Sequence, residues 1–464
     1  MSHSKARLHL EKALALDPAH LPARIALAQL HRRESRDSDA ERVLTEIIST
    51  ADDATSARLA LAELLLDAER EDEALEHLQV AVTLDPESAA AHQQLADLMA
   101  SNGRVKEAAD HLSRLVEIQP LDGEAHFRLA ELLEHPDDFD RAKLLLEIAG
   151  DLMPADPRPP HLLGQLLERG EKTDRDGSLL HEPDLPAARR LYERTLSLAP
   201  RHASTRLALG ALLEQADEAK TAREHYQLAA ESPREHLVGE ACLRLGRLDK
   251  QTDPEAALRF LDQAVRIQTS RARALALRAE LHLAKHRSQE AAKDFQAALQ
   301  AFAEEERRLR EQSEEAADLG NFARARRILK RADAARQAVA PPLRNLARLA
   351  NEQGDPQEAL RLLDKAAAAH PAYIDARYDL AQLLEILNRP EEARGQYEAV
   401  VHGEWAHPEA HFRLGEYALA DGDRQKAEMH FLIVTDLKPR HKKALARLKE
   451  LGAGGLPAAQ SKTS

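Results

Sequence analysis

Small and large apolar residues recur along this chain with a helical period, and the whole arrangement returns every 34 residues. Units begin at Leu21, Thr55, Ala89, Gly123 and Pro157, and the next begins at Ala203, a step of 46 that carries 12 extra residues. After a one-residue adjustment near Val238, starts at Ala272, Glu306, Ala340, Ile374 and Pro408 resume the step of 34. Twelve units result, each of a length that suits two helices and their turns.

The columns inside the units explain the spacing. The eighth position is Ala or Gly in eleven units and Ser313 in the other. The twentieth is alanine in all twelve, from Ala40 through Ala142 to Ala427. Two helices of a hairpin approach closely only where neither presents bulk, so the two small columns predict a seam. Leucine fills the seventh position in ten units, with Arg278 and Gln312 the exceptions, and Leu, Tyr or Phe fills the twenty-fourth. Pro86, Pro120, Pro154, Pro200, Pro371 and Pro439 mark helix ends, because proline cannot continue a helix interior.

These columns resemble the tetratricopeptide repeat over nearly the whole chain. The departure is the fourth position, where the family's large aromatic gives way to Arg, His, Leu or Cys. The resemblance implies an all-α, right-handed superhelical solenoid of about twelve helix-turn-helix units plus terminal half-repeats. Residues 1–20 read as an N-terminal half-repeat, 21–202 as units one to five, 203–441 as units six to twelve, 442–451 as a capping helix and 452–464 as a flexible tail. The 12-residue insertion falls within about 170–186 and reads as an extended turn. No strand-like alternation is evident. The half-repeat start points to a truncated gene model or a piece of a longer array.

The resemblance also implies where a ligand sits, on a concave face lined by positions two, five, nine and twelve of the first helices. That face is acidic early (Glu124, Glu131, Glu134), turns basic in the middle (Arg307, Arg310, Arg344, Arg348), and is acidic again near Asp375 and Glu416. Phe127, Tyr378 and Phe412 share the fifth position as aromatic anchors. A groove of Phe127, Glu131, Arg307, Arg310, Arg344, Arg348, Tyr378 and Phe412 is the expected partner site. Arg344 and Arg348, four apart on one helix with Tyr378 in the next unit, suit an acidic segment with an aromatic or apolar anchor. The competing reading is that these arginines only balance Glu314 and Asp379. The Lys/Asn clamp that some family members use for C-terminal carboxylates is missing.

Composition narrows the function classes. With 65 Lys plus Arg against 79 Asp plus Glu the net charge is −14, which opposes nucleic-acid binding. One cysteine, Cys242, excludes a disulfide framework and a cysteine zinc module. The 22 histidines include His402, His407 and His411 beside Trp405, but His92, His126 and His411 share the fourth position and read as packing, so no metal is expected. Asp174, Asp176 and Ser178 only faintly match a calcium loop. Nucleophile, phosphate-loop and zinc-protease motifs are lacking, and the repeats leave no room for a catalytic domain. The expected function is a non-catalytic protein–protein interaction scaffold without a cofactor, binding other proteins or peptides. Alternatives are an assembly or regulatory segment of an envelope polysaccharide or secretion machine, and a helical-repeat RNA binder. No membrane span or signal core is evident, which leaves the cytoplasm as the default location.

Overall fold

The structure is a computed structural model, and it describes residues 3–51, 54–133, 138–172, 179–318 and 321–452. The tail beyond 452, the Asp174–Asp176–Ser178 loop and Glu134 lie outside the described residues.

The repeats form α-helices for local reasons that recur. Their interiors are rich in Ala, Leu, Glu and Arg, which lose little side-chain freedom in a helix. Asp85 closes one helix just before Pro86, and the side chain of Ser88 accepts from the Ala91 amide to open the next. Asp122, Asp253 and Asp355 cap in the same way, and so do the imidazoles of His20, His407 and His441.

The described residues divide into two compact units, Met1–Ala229 with Glu315–Ala323, and Ala230–Glu314 with Arg324–Ser464. The first holds α1 (His3–Leu16), α2 (Leu21–Arg33), α3 (Asp37–Thr50), α4 (Thr55–Asp67), α5 (Glu71–Leu84), α6 (Ala89–Ser101) and α7 (Val105–Ile118). It continues with α8 (Gly123–Leu132), α9 (Phe139–Leu152), α10 (Arg158–Arg169), α11 (Leu185–Leu198), α12 (Ala203–Gln215) and α13 (Ala219–Ala229). The second holds α14 (Glu235–Thr252), α15 (Pro254–Val265), α16 (Gln268–Ala284), α17 (Ser288–Asp318, its last residues counted with the first unit) and α18 (Phe322–Gln337). Then follow α19 (Ala340–Glu352), α20 (Pro356–Ala369), α21 (Ile374–Ile386), α22 (Pro390–Gly403), α23 (Pro408–Ala420), α24 (Arg424–Leu437) and α25 (Lys442–Glu450). The fold is an all-α solenoid of helix-turn-helix units, with α1 and α25 as the part-repeats at its ends.

The seam is built as the columns require. Every alanine of the twentieth position is buried, Ala40, Ala188 and Ala393 among them at 0% exposure. Glycine at the eighth position accompanies a ring at the twenty-fourth in three hairpins. A Cβ on Gly164 would meet Tyr192 at 2.6 Å, on Gly210 would meet Tyr226 at 2.5 Å, and on Gly415 would meet Phe431 at 2.6 Å.

Two local expectations are corrected. The insertion carries a short antiparallel pair, β1 (Glu171–Lys172) with β2 (Leu179–His181), rather than a plain turn. His181 stacks on Phe139 with ring centroids 4.4 Å apart, which ties this pair to the start of α9. The junction expected before Glu306 is absent, and α17 runs unbroken for 31 residues. The stretch AFAEEERRLR offers no proline, glycine or cap to stop a helix. The repeat register survives nonetheless, since the Ser313 hydroxyl donates to the Ala325 carbonyl at 2.8 Å, joining the two small columns.

Candidate functional site

The inner surface is set by charge pairs between consecutive first helices. In the first unit Arg32 reaches Glu63 at 2.7 Å and Asp67 at 2.6 Å, Arg128 pairs with Asp97, and Arg158 meets Glu124 at 2.6 Å. In the second, Arg273 meets Glu240 at 3.0 Å, Lys250 meets Glu280 at 2.5 Å, and Arg447 meets Glu416 at 2.8 Å. The charge segments seen in the sequence are therefore largely neutralised within the array. Exposed pairs of this kind contribute only about 0–1 kcal/mol each, so they set local charge more than stability.

The eight expected groove residues are divided between the two units. Phe127 and Glu131 belong to the first unit, and Phe127 is buried at 4% exposure beneath the Arg158 guanidinium, 4.8 Å from the ring centroid. Arg307 lies exposed on the continuous α17 with Glu311 3.9 Å away, and Arg310 is held by Glu306 at 3.0 Å and Asp333 at 3.3 Å. Phe412 packs against Phe431 and His441.

Arg344 and Arg348 do converge, but on an acid of their own chain. Asp379 accepts from Arg344 at 2.6 Å and from Arg348 at 3.0 Å, and Asp375 takes the other edge of Arg344 at 2.8 Å. Arg344 is thus enclosed, whereas Arg348 keeps 53% of its side chain exposed. The ring beside Arg344 is Tyr373, 5.8 Å from the guanidinium, and not Tyr378. Tyr378 instead contacts Tyr397 and His407, and burial raises its hydroxyl pKa.

A hollow of about 200 Å³ opens beside this network between α19, α20 and α21. Arg348, Asn351, Asp379, Gln382 and Ile386 line its mouth, and Ile386 is 74% exposed. Sequence reading missed Asn351, Gln382 and Ile386. Their signal was the pairing of two amides at positions twelve and nine of adjacent units.

The histidines have structural work. His411 sits at 0% exposure with Nε2 donating to the Trp405 carbonyl at 2.9 Å and Nδ1 3.0 Å from His430 Nδ1. His92 repeats this with the Pro86 carbonyl at 3.2 Å and His111 at 3.1 Å. Arg377 does the same with the Pro371 carbonyl at 2.9 Å and Gln396 at 3.2 Å. In these three repeats the fourth position therefore clasps its own preceding turn and a second-helix residue nineteen positions on. Among the described residues no group of three or more His, Cys, Asp or Glu could hold a metal ion. Cys242 is fully buried, which pushes its thiol up to about 11. No described helix is long and apolar enough to cross a membrane.

Two sequence profiles, each described as tetratricopeptide repeat, match the chain, one at residues 65–126 and 350–404, the other at 25–89 and 378–441. Comparison with curated proteins returns no match. Among solved structures the chain is similar to PilF of Pseudomonas aeruginosa, at 16% identity over 55% of this chain and 97% of that one, with a TM-score of 0.40. It is similar to human IFIT1, seen as a dimer with m7Gppp-AAAA, at 15% identity over 90% and 95%, TM-score 0.45. It is also similar to MamA of Desulfovibrio magneticus RS-1, at 21% identity over 39% and 94%, TM-score 0.33. Scores this low carry no argument about arrangement or partners. The profile matches, with the buried small-residue seam and the paired helices, show that the chain carries tetratricopeptide repeats.

Proposed function

We propose that this chain is a non-catalytic scaffold that holds an extended segment of a partner protein against the inner faces of its first helices. The observation that carries the reading is the hollow at Arg348, Asn351, Gln382 and Ile386. A side-chain amide both donates and accepts, so Asn351 and Gln382 match the peptide bonds of a segment whatever its sequence. Ile386, 74% exposed, adds an apolar contact beside them. An acidic group on the partner would meet Arg348, the accessible member of the pair, while Arg344 holds Asp375 and Asp379 in place.

The test uses a partner captured from the source cell and then titrated in purified form against the wild type and two variants. Gln382→Ala with Ile386→Asp should weaken binding at least tenfold, a loss of about 1.4 kcal/mol, with helicity unchanged because Ile386 is not packed. Arg348→Glu should weaken it further at low salt than at high salt if the segment is acidic. Equal affinity for wild type and the double variant would remove the hollow from the site.

A further inference from the structure

The second helices of the fourth and fifth repeats, α9 and α11, flank a groove of about 570 Å³ whose third side is α10. Leu146, Gly150, Leu163 and Leu167 form its floor. The opening has a cause in the sequence. Gly150 occupies the twenty-eighth position, where other hairpins place Ile48, Val82, Val265 and Val401, all partly buried against the core. A Cβ on Gly150 would touch only Pro159, at 3.9 Å, so the missing side chain leaves open space. Glycine inside a helix costs about 1 kcal/mol relative to alanine, and nothing in the packing around Gly150 requires it.

The walls carry opposite charge. Glu147 and Asp151, one turn apart on α9, stand on one side, with Lys143 a further turn toward the start of the helix. Arg190 and Arg194, likewise one turn apart, stand on α11. Neighbouring Arg189 and Glu193 pair with each other at 3.1 Å, and Arg189 also reaches Glu218 at 2.6 Å. Among the described residues the four wall groups make no ion pair, although Arg189 and Glu193 beside them do. An acidic wall and a basic wall held apart over an apolar floor call for an occupant that reaches both.

We propose that this groove is a second docking site, separate from the inner hollow, for an amphipathic helix of a partner protein. The partner's apolar stripe would place one large aliphatic side chain over Gly150. Acidic residues on one flank would pair with Arg190 and Arg194, and basic residues on the other with Glu147 and Asp151. A helix is favoured over an extended strand because the wall charges repeat at four residues, which matches the one-turn spacing of flanking charges on a facing helix.

The probe is a fluorescent 18-residue helical peptide with a leucine stripe, made in three forms: Lys on one flank and Glu on the other, Lys on both, and Glu on both. Anisotropy titrations against the full chain should show the mixed peptide binding at least tenfold more tightly than either uniform one. Arg190→Glu with Arg194→Glu makes both walls acidic and should switch the preference to the all-Lys peptide. Gly150→Val should fill the groove as Val82 and Val401 do elsewhere, leaving the circular dichroism intact while weakening the mixed peptide at least tenfold. If the three peptides bind the wild type alike, the charge assignment is overturned. If Gly150→Val folds and binds as the wild type does, the groove is not the site. Should that variant lose structure, Gly150→Ala, which meets no close atom, takes its place, and the charge-reversal switch stands independently of both.

Discussion

At the scale of single residues, the seam shows size traded between partners. Gly415 and Phe431 are both buried, and the ring edge lies where a Cβ on Gly415 would be, at 2.6 Å. Two effects then compete in Gly415→Ala. Helix propensity favours alanine by about 1 kcal/mol, whereas overpacking against a ring that cannot retreat costs typically about 1–3 kcal/mol. Contact at that distance makes the second win, so Gly415→Ala should lower stability. In a Phe431→Leu background the same change should be neutral or stabilising, because the ring is gone. Thermal melts of the four proteins check the sign reversal, and a penalty of the same size in both backgrounds would contradict it. The alanine column was legible in the sequence because a small residue in twelve successive units has one physical use. The ion pairs of Arg344 were only half legible: its place on the inner face followed from the register. Its choice of Asp375 and Asp379, 31 and 35 residues on, depends on how neighbouring units stack, which a periodicity does not show.

At the scale of the hairpin, the fourth-position clasp joins three elements: the turn before the first helix, that helix and the second helix. In the last full repeat the tautomers are fixed by the acceptor. The Trp405 carbonyl takes the Nε2 proton of His411, so His411 Nδ1 accepts and His430 Nδ1 donates. Two charged imidazoles would put a proton on both facing nitrogens and break the clasp. Burial pushes His430 down to about 4, helped by His411 and by Lys426 on its own helix, and opposed by Glu398 on α22. A histidine whose folded pKa lies below its unfolded value of about 6.5 binds fewer protons when folded. Its contribution is therefore full above about 6.5 and is lost as the pH falls from there toward about 4, at up to about 1.4 kcal/mol per pH unit. Protection factors of α23 and α24, corrected for the intrinsic slowing of amide exchange in acid, should fall between neutral pH and pH 5. His430→Gln should flatten that dependence, since Gln396 already serves opposite Arg377. Superimposable pH profiles for the two proteins would remove the clasp from the acid response. The clasp escaped sequence reading because Arg, His and Gln are interchangeable in it, which blurs the column. The fusion of α17 escaped for the opposite reason. The 34-residue columns keep their phase through it, and only the missing helix-stop residues betray the absent turn.

At the scale of the molecule, most described helices pack against the next one or two along the chain, as α4 does on α5 and α21 on α22. Stability in such an array is largely a sum of local terms, which weakens the all-or-none transition that a single core would enforce. The consequence is specific. Ala393 is at 0% exposure in the core that includes Leu380, Ala381 and Tyr397. Ala393→Arg must bury an unpaired charge or part α21 from α22, a loss of several kcal/mol by the usual cost of overpacking plus burial, on the order of 3 kcal/mol or more. Hydrogen exchange should show that loss in α19 to α23, which share the damaged core and its neighbours. Protection in α4 to α7, whose core is built from Leu61, Leu65, Leu78 and Leu95, should stay as in the wild type. The mirror variant, Ala74→Arg, should strip α4 to α7 and spare α19 to α23. A calorimetric scan of either protein should accordingly broaden or split, because one region melts ahead of the other. If instead each substitution lowered protection by the same amount at both places, the chain would unfold as one cooperative body. The local-sum account of its stability would then fail, whatever the repeats look like.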